Sequence, residues 1–411
     1  MRINLIGQIY GCLGIPNHTR DLFDAIIEKA GSTCDTRVYP LSRGDIPYGL
    51  SAALRDRIKP PSDFNNVEGL SIIFWGPDVY PQIVSKINRS KSVICGYLVF
   101  EWTKLSDSFV NNCALMDYLL VPSTHARDVL IAHNIPADKI IIVRAGLSKP
   151  YRDLSDDSTV DLGTLRLLMV GKWEERKGYV ETLDTLLRYF DKTRNSNVSV
   201  TLAIDDPFTP NFSLDARLSE LIFRDSLDLR IRRITKVEDY ADRFGQSTFY
   251  IHKRGVLRDE IDMIALYSTH HFIVVPSKAG GVELPLIEAQ ACGCVPIGMK
   301  VSGMADYYTS AGIEIPSAGK QEIRDNKWFR YPTDYGTWDI MDQTKFMETI
   351  LLIRKMETSS WKELSKRARV EINNICNYEV IVTNFFRRLE INENARGSQS
   401  RLGTLPKVCT K

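Results

Sequence analysis

The chain has 411 residues, more than one hydrophobic core ordinarily organises, so two domains are the first expectation. Its 44% hydrophobic and 25% charged residues are those of a soluble globular protein, and 53 Lys and Arg against 51 Asp and Glu exclude the basic footprint of a dedicated nucleic-acid binder. No window holds the roughly 20 apolar residues of a membrane span, and the apolar run in MRINLIGQIYG is too short for a signal peptide, so cytoplasmic residence is the default expectation. The eight cysteines are scattered, and Cys292 and Cys294 lack a second pair at metal spacing. They read as reduced, mostly buried small residues.

In chain order, short apolar runs alternate with amphipathic segments of helical length, the pattern of parallel sheets covered by helices. The first half supplies INLIG (3–7), LSIIFWG (70–76), SVICGYLVF (92–100), DYLLVP (117–122) and KIIIVRAG (139–146). Between the last two, STHARDVLIAHNI predicts a helix with Ser123 as N-cap and a stripe at Ala126, Val129, Leu130 and His133. A polar linker spans 148–163. The alternation then restarts with LRLLMVGK (165–172) and continues through NVSVTLAI, QSTFYIH, HHFIVVPS and GCVPIG. Three helical segments follow, TKFMETILLIRKM, SWKELSKRARVEINNI and YEVIVTNFFRRL. The expected organisation is an α/β protein of two doubly wound Rossmann-like domains, 1–150 and 160–375, with a closing helix at 376–390 that packs back toward the first. A polar tail, 391–411, is expected to be disordered. Such domains bind ligands at the carboxyl ends of their strands, here expected to face an interdomain cleft.

Three strand-end motifs carry the chemistry. In LIGQIYGCLGIPNHTRDLF, Gly11 and Gly14 stand between a strand and a helix using Leu22, Ile26 and Ile27, where glycines let a ligand approach the backbone. The spacing is not that of the dinucleotide fingerprint, and a plain structural turn is the competing reading. In LLMVGKWEERKGYVETLDTLL, Lys172, Arg176 and Lys177 cluster after a buried strand. Cations there suit a pyrophosphate, although Glu174 and Glu175 could instead make this a balanced, solvated turn. In AGGVELPLIEAQACGCVPIG (279–298), a glycine loop precedes a helix beginning near Leu284 or Pro285. The N–H groups of Gly281, Val282, Glu283 and Leu284 could then face an anion. Glu288, about one turn into that helix, could accept hydrogen bonds from sugar hydroxyls or simply complement the helix dipole. IDDPF holds Asp205 and Asp206, a pair as suited to turning the chain as to binding a metal.

In this order the motifs resemble the retaining nucleotide-sugar glycosyltransferases of family 4, which have the GT-B fold. The resemblance runs from Ile3 to about Leu389 and is most specific in GYLVFEWTKLSDSFVNNCALMDYLLVPSTHARDVL, MVGKWEERKG and VVPSKAGGVELPLIEAQACGCVPIGMKVSG. It implies that Lys172 and Lys177 hold the donor diphosphate, with Lys172 a point charge where the family more often has arginine. It further implies that the glycine loop, Gly280 to Leu284, surrounds phosphate and sugar, and that Glu288 binds the ribose. The family's earlier glutamate, eight positions upstream, is replaced here by Gly280, and Glu283 stands three residues further on. The strand CGYLVFEWT offers Tyr97, Glu101 and Trp102 in place of the family's histidine, and Glu101 is taken to line the acceptor side.

The implied reaction moves a sugar from a nucleoside diphosphate sugar to an acceptor hydroxyl with retention, without a metal or resident cofactor, and in glycan or glycoconjugate synthesis. Polysaccharide, lipid-linked and protein acceptors all stay open, as does peripheral membrane contact. The alternatives are a catalytically impaired sugar-nucleotide-binding protein of the same fold and another GT-B enzyme such as a phosphorylase.

Overall fold

A computed structural model of the chain describes residues 1–395 apart from 12, 43, 45–49, 155–161, 194–197, 225–229, 235–247, 253–258 and 326. Much of the expected linker and most of the expected polar tail thus lie outside the described residues. Two compact units emerge: 1–148 with 332–335 and the chain from 376 onward, and 149–331 with 336–375.

The first unit carries a six-stranded sheet of β1 (Arg2–Gly7), β2 (Asp35–Pro40), β3 (Val67–Phe74), β4 (Ile87–Tyr97), β5 (Tyr118–Val121) and β6 (Ile140–Ile142). Its order is β2-β1-β3-β4-β5-β6, parallel throughout. Because successive side chains in a strand point to opposite faces, each apolar run feeds two cores. Leu5, Ile72, Cys95 and Leu120 join one cluster, and Ile6, Ile73, Ile94 and Leu119 the other. The helix Gly14–Ala30 covers the first face with Leu22, Phe23, Ile26 and Ile27. Ser123 caps the helix Thr124–Ala132 through a bond from the Ala126 N–H, and Ala126, Val129 and Leu130 cover the second face.

Two expectations are corrected here. The run 92–100 is strand only as far as Tyr97, so Glu101 and Trp102 lie in the segment beyond it. The last helix runs Tyr378–Ala395, five residues into the expected tail: Tyr378, Val382, Phe385, Phe386 and Leu389 extend the first unit's core, and buried Glu393 holds the last turn by accepting a hydrogen bond from the Tyr118 hydroxyl at 2.7 Å.

The second unit holds β7 (Leu165–Lys172), β8 (Val198–Asp205), β9 (Arg230–Ile234), β10 (Thr248–His252), β11 (Phe272–Val275), β12 (Val295–Gly298) and β13 (Ile313–Glu314). Their order is β13-β12-β11-β7-β8-β10-β9, again parallel. The hairpin β14 (Ser317–Glu322) and β15 (Thr337–Met341) is separate. β7 lies between β8 and β11, so the chain steps from β7 to β8 on one side and later crosses back from β10 to β11 on the other. Loops after β7 and β11 therefore flank a topological switch point, where parallel sheets present helix termini to ligands.

Candidate functional site

β7 ends on Lys172, in register with Asp205 of β8, and the chain turns through Glu175–Lys177 into the helix Tyr179–Thr193. Gly178 closes the turn at φ +63°, and a Cβ there would strike the Pro276 carbonyl oxygen, so a side chain would part this turn from the segment after β11. The Lys278 N–H, donating to the Arg176 carbonyl at 2.8 Å, fastens the same two segments together.

Three cations and two carboxylates meet there. Lys177, buried, places Nζ 2.6 and 2.5 Å from the two carboxylate oxygens of Glu283, itself 3% exposed. Lys172 is more open, its Nζ 2.7 Å from Glu174. Arg176 spans both, with Nη2 3.1 Å from Glu174 and Nη1 2.8 Å from the Ala279 carbonyl and 3.7 Å from Glu283. Burial pulls the Lys177 pKa down against the opposing pull of Glu283. For Glu174 burial acts upward, but Arg176 and Lys172 together hold its carboxyl below the usual range. Both lysines are thus paired, Lys177 inside the protein and Lys172 with part of its ammonium side chain at the surface.

Gly280 and Glu283 turn out to share one space. A Cβ on Gly280 would lie 2.7 Å from Glu283 Oε1 and 2.9 Å from its Cγ, so the Glu283 side chain occupies the room above the glycine. The space beside Gly280 is thus taken by a side chain that arrives from three residues on. Ser302, at φ +48°, clamps the glycine: its Oγ accepts from the Gly280 N–H at 2.7 Å and donates to the Gly280 carbonyl at 3.1 Å. Nothing in the sequence marks Ser302 for this task, since a serine with positive φ has no local signature.

The helix Leu284–Ala291 follows, with Pro285 in its first turn and Glu283 at its N-cap position. The N–H groups of Gly281, Val282, Glu283 and Leu284 have no hydrogen-bond acceptor among the described residues, which leaves the start of this helix open to an anion. Glu288 is half-buried and accepts a hydrogen bond from the Tyr267 hydroxyl at 2.8 Å. Burial pushes its carboxyl up to about 7, the Tyr267 bond working the other way and Glu260 adding to the rise.

Other expected residues lie elsewhere. Asp205 and Asp206 serve the turn: Asp205 accepts from the Asp206 N–H, and Asp206 accepts from the Phe208 N–H and pairs with Lys327 at 2.7 and 2.9 Å. In the first unit Gly11 takes φ +101°, and Arg20 binds the Ile9 and Gly11 carbonyls at 3.0 and 2.8 Å. Gly14 begins the following helix rather than preceding it. Glu101 is half-buried beside a cavity of about 280 Å³ lined by Asp78, Leu98, Phe100, Trp102 and Phe109, and Glu101 itself is not in the lining. His18, which the sequence reading passes over, is buried between two tyrosines. Its Nε2 lies 2.9 Å from the Tyr97 hydroxyl, whose proton goes to the Val143 carbonyl, and its Nδ1 lies 3.2 Å from the Tyr378 hydroxyl. This network needs the neutral Nε2–H tautomer, and burial lowers the imidazole pKa to about 3. Among the described residues, six cysteines are free thiols and five of them are buried. No helix of the described residues is long and apolar enough to cross a membrane.

No family model matches the chain, and no curated protein matches it in sequence. Solved structures do match. HepE of Anabaena, in complex with UDP, covers 95% of this chain with 100% of its own at 12% identity and a TM-score of 0.63. A glycosyltransferase from Rickettsia africae covers 97% with 99% of its own at 15% identity and a TM-score of 0.61. Sucrose-phosphate synthase from Thermosynechococcus elongatus covers 96% with 99% of its own at 15% identity and a TM-score of 0.59. The fold is GT-B. Likeness at this level of identity carries the architecture alone, so what the GT-B chain does rests on its own residues.

Proposed function

We propose that the chain is a retaining glycosyltransferase, related to family 4, that binds a nucleoside diphosphate sugar at the switch point of its second unit. The observation that carries this reading is the coincidence of Gly280 and Glu283. The Glu283 side chain, which occupies the space above Gly280, in this reading supplies the carboxylate that the resemblance expects from position 280. In this reading the diphosphate lies against Lys172, Arg176 and the open N–H groups of 281–284, which neutralise the leaving group without a metal. Glu283, held by Lys177, faces the donor sugar, and Glu288 accepts from the ribose hydroxyls. HepE has been crystallised with UDP-glucose, which makes UDP and UDP-glucose the first ligands to try.

A second reading, a sugar-nucleotide-binding protein that does not transfer, is favoured by the inward pairing of Lys177 with Glu283. Calorimetric titration with UDP and UDP-glucose, beside an assay of UDP release, separates them. Binding abolished by Glu288→Ala, with hydrolysis or transfer abolished by Lys172→Ala, supports the enzyme. Tight binding with no turnover for any acceptor leaves the second reading, and no binding of any nucleoside diphosphate sugar defeats both. Cytoplasmic residence and a glycan or glycoconjugate acceptor complete the proposal.

A further inference from the structure

The second unit exposes an aromatic pair that the donor reading does not use. Phe208 and Trp328 are 43% and 46% exposed, with ring centroids 5.1 Å apart and planes at 85°. Charged groups surround them. Lys327 Nζ lies 5.3 Å from the Phe208 centroid and 5.7 Å from that of Trp328, while Lys172 Nζ lies 5.2 Å from the Phe208 centroid. The pair is held in place before any ligand arrives: Asp325 accepts the N–H groups of Lys327 and Phe329 at 2.8 and 2.9 Å, and Asp206 accepts that of Phe208 at 3.1 Å.

Exposed aromatic rings beside ammonium groups match one chemistry well. A pyranose ring has an apolar face of C–H bonds to lay on an indole or phenyl ring, and hydroxyls that can accept from Lys327. Because Lys327 is paired with Asp206, and Lys172 with Glu174, the rim is charge-balanced and favours a neutral sugar over an anionic one. Position in the sheet says which sugar. The donor loop follows β11 on one side of β7, whereas Asp206 and Phe208 follow β8 on the other, with Lys172 between them. We propose that the exposed indole of Trp328, with Phe208 set against it edge to face, is a stacking surface for a neutral hexopyranose unit of the acceptor, across Lys172 from the donor. The assignment to the acceptor rests on the donor reading given above; the platform itself does not.

The test is direct binding to the full chain. Maltotriose, cellotriose, laminaritriose and chitotriose are titrated at millimolar concentration, with and without UDP, by saturation-transfer NMR and by Trp fluorescence. Trp328→Ala and Phe208→Ala are compared with the unaltered chain, and UDP affinity is measured in parallel. The expected result is binding of at least one trisaccharide, weakened roughly tenfold or more in each variant, with UDP affinity unchanged. Trp328→Phe keeps a flat ring and recovers most of the binding, which a merely structural role would not explain. The platform is overturned if no trisaccharide binds, if binding survives both alanine variants, or if the variants weaken UDP instead, which would make the pair a nucleobase shelf. Should trisaccharides bind as expected while UDP does not bind at all, the platform stands and the donor reading fails.

Discussion

Lys177 and Glu283 form a buried ion pair. Removing one partner strands the other in a medium that solvates it poorly. Lys177→Ala and Glu283→Ala are each expected to cost about 3–5 kcal/mol in urea unfolding, and the Lys177→Ala/Glu283→Ala double variant much less than their sum. Additive costs would mean that the ion pair is not coupled. Glu288 gives a pH signature. Its folded value of about 7 lies above the ordinary 4.5, so between these values the folded state holds a proton that the unfolded state has lost, and stability falls as pH rises through that window. Affinity for UDP-glucose, whose diphosphate is esterified at both ends and does not titrate in this range, should move the opposite way, rising from about pH 6 to about pH 8 as the carboxylate forms and accepts the ribose hydroxyls more strongly. Glu288→Gln is expected to flatten both profiles, and a UDP-glucose titration with no pH dependence in the unaltered chain would sink the ribose assignment.

At the level of the element, the loop before Leu284–Ala291 makes a demand that no residue makes alone. Position 280 and the side chain of 283 compete for one volume, so Gly280→Glu by itself should overpack the loop, part Lys177 from Glu283, and lower both stability and UDP binding. Adding Glu283→Gly vacates the space and should recover a good part of both losses, as read by thermal unfolding and calorimetry. If the double variant is no better than Gly280→Glu alone, the two carboxylates are not equivalent occupants of that space. This contrast also explains what was legible in advance. β7 and β11 were visible because strands buried on both faces are unbroken apolar runs. β2 was not, since Asp35 and Arg37 alternate with buried Thr36 and Val38 at the sheet edge and break the run. The helix start at Leu284 followed from its glycines and proline, but the shared volume of Gly280 and Glu283 and the clamp from Ser302 depend on residues brought together by folding, for which sequence spacing holds no code. Lys172, Lys177, Glu283 and Glu288 could be picked out as candidates, and Glu174 as a balancing charge, while the pairing of Lys177 with Glu283 and the Tyr267 hydroxyl on Glu288 needed coordinates.

Over the whole molecule, chain order and core membership part company at the carboxyl end. The helix Tyr378–Ala395 follows the second unit in sequence yet supplies Tyr378, Val382, Phe385, Phe386 and Leu389 to the core of the first, and Leu147 donates its N–H to the Cys376 carbonyl at 2.9 Å. Tyr378 also sits against Gly146, where a Cβ would come within 2.5 Å of its ring, and its hydroxyl closes the His18 network. Burial of a large apolar side chain contributes about 1.5–3 kcal/mol, so five of them contribute on the order of 7–15 kcal/mol, as much as the whole net stability of a typical domain. A chain ended after Ile375 should therefore lose the first unit and keep the second. Limited proteolysis is expected to digest 1–148 rapidly while the remainder, whose candidate donor residues all lie within 149–331, still binds UDP. Survival of the first unit in that shortened chain would show that β1–β6 and the helix Gly14–Ala30 fold without the carboxyl-terminal helix, and its apolar face would then need another explanation.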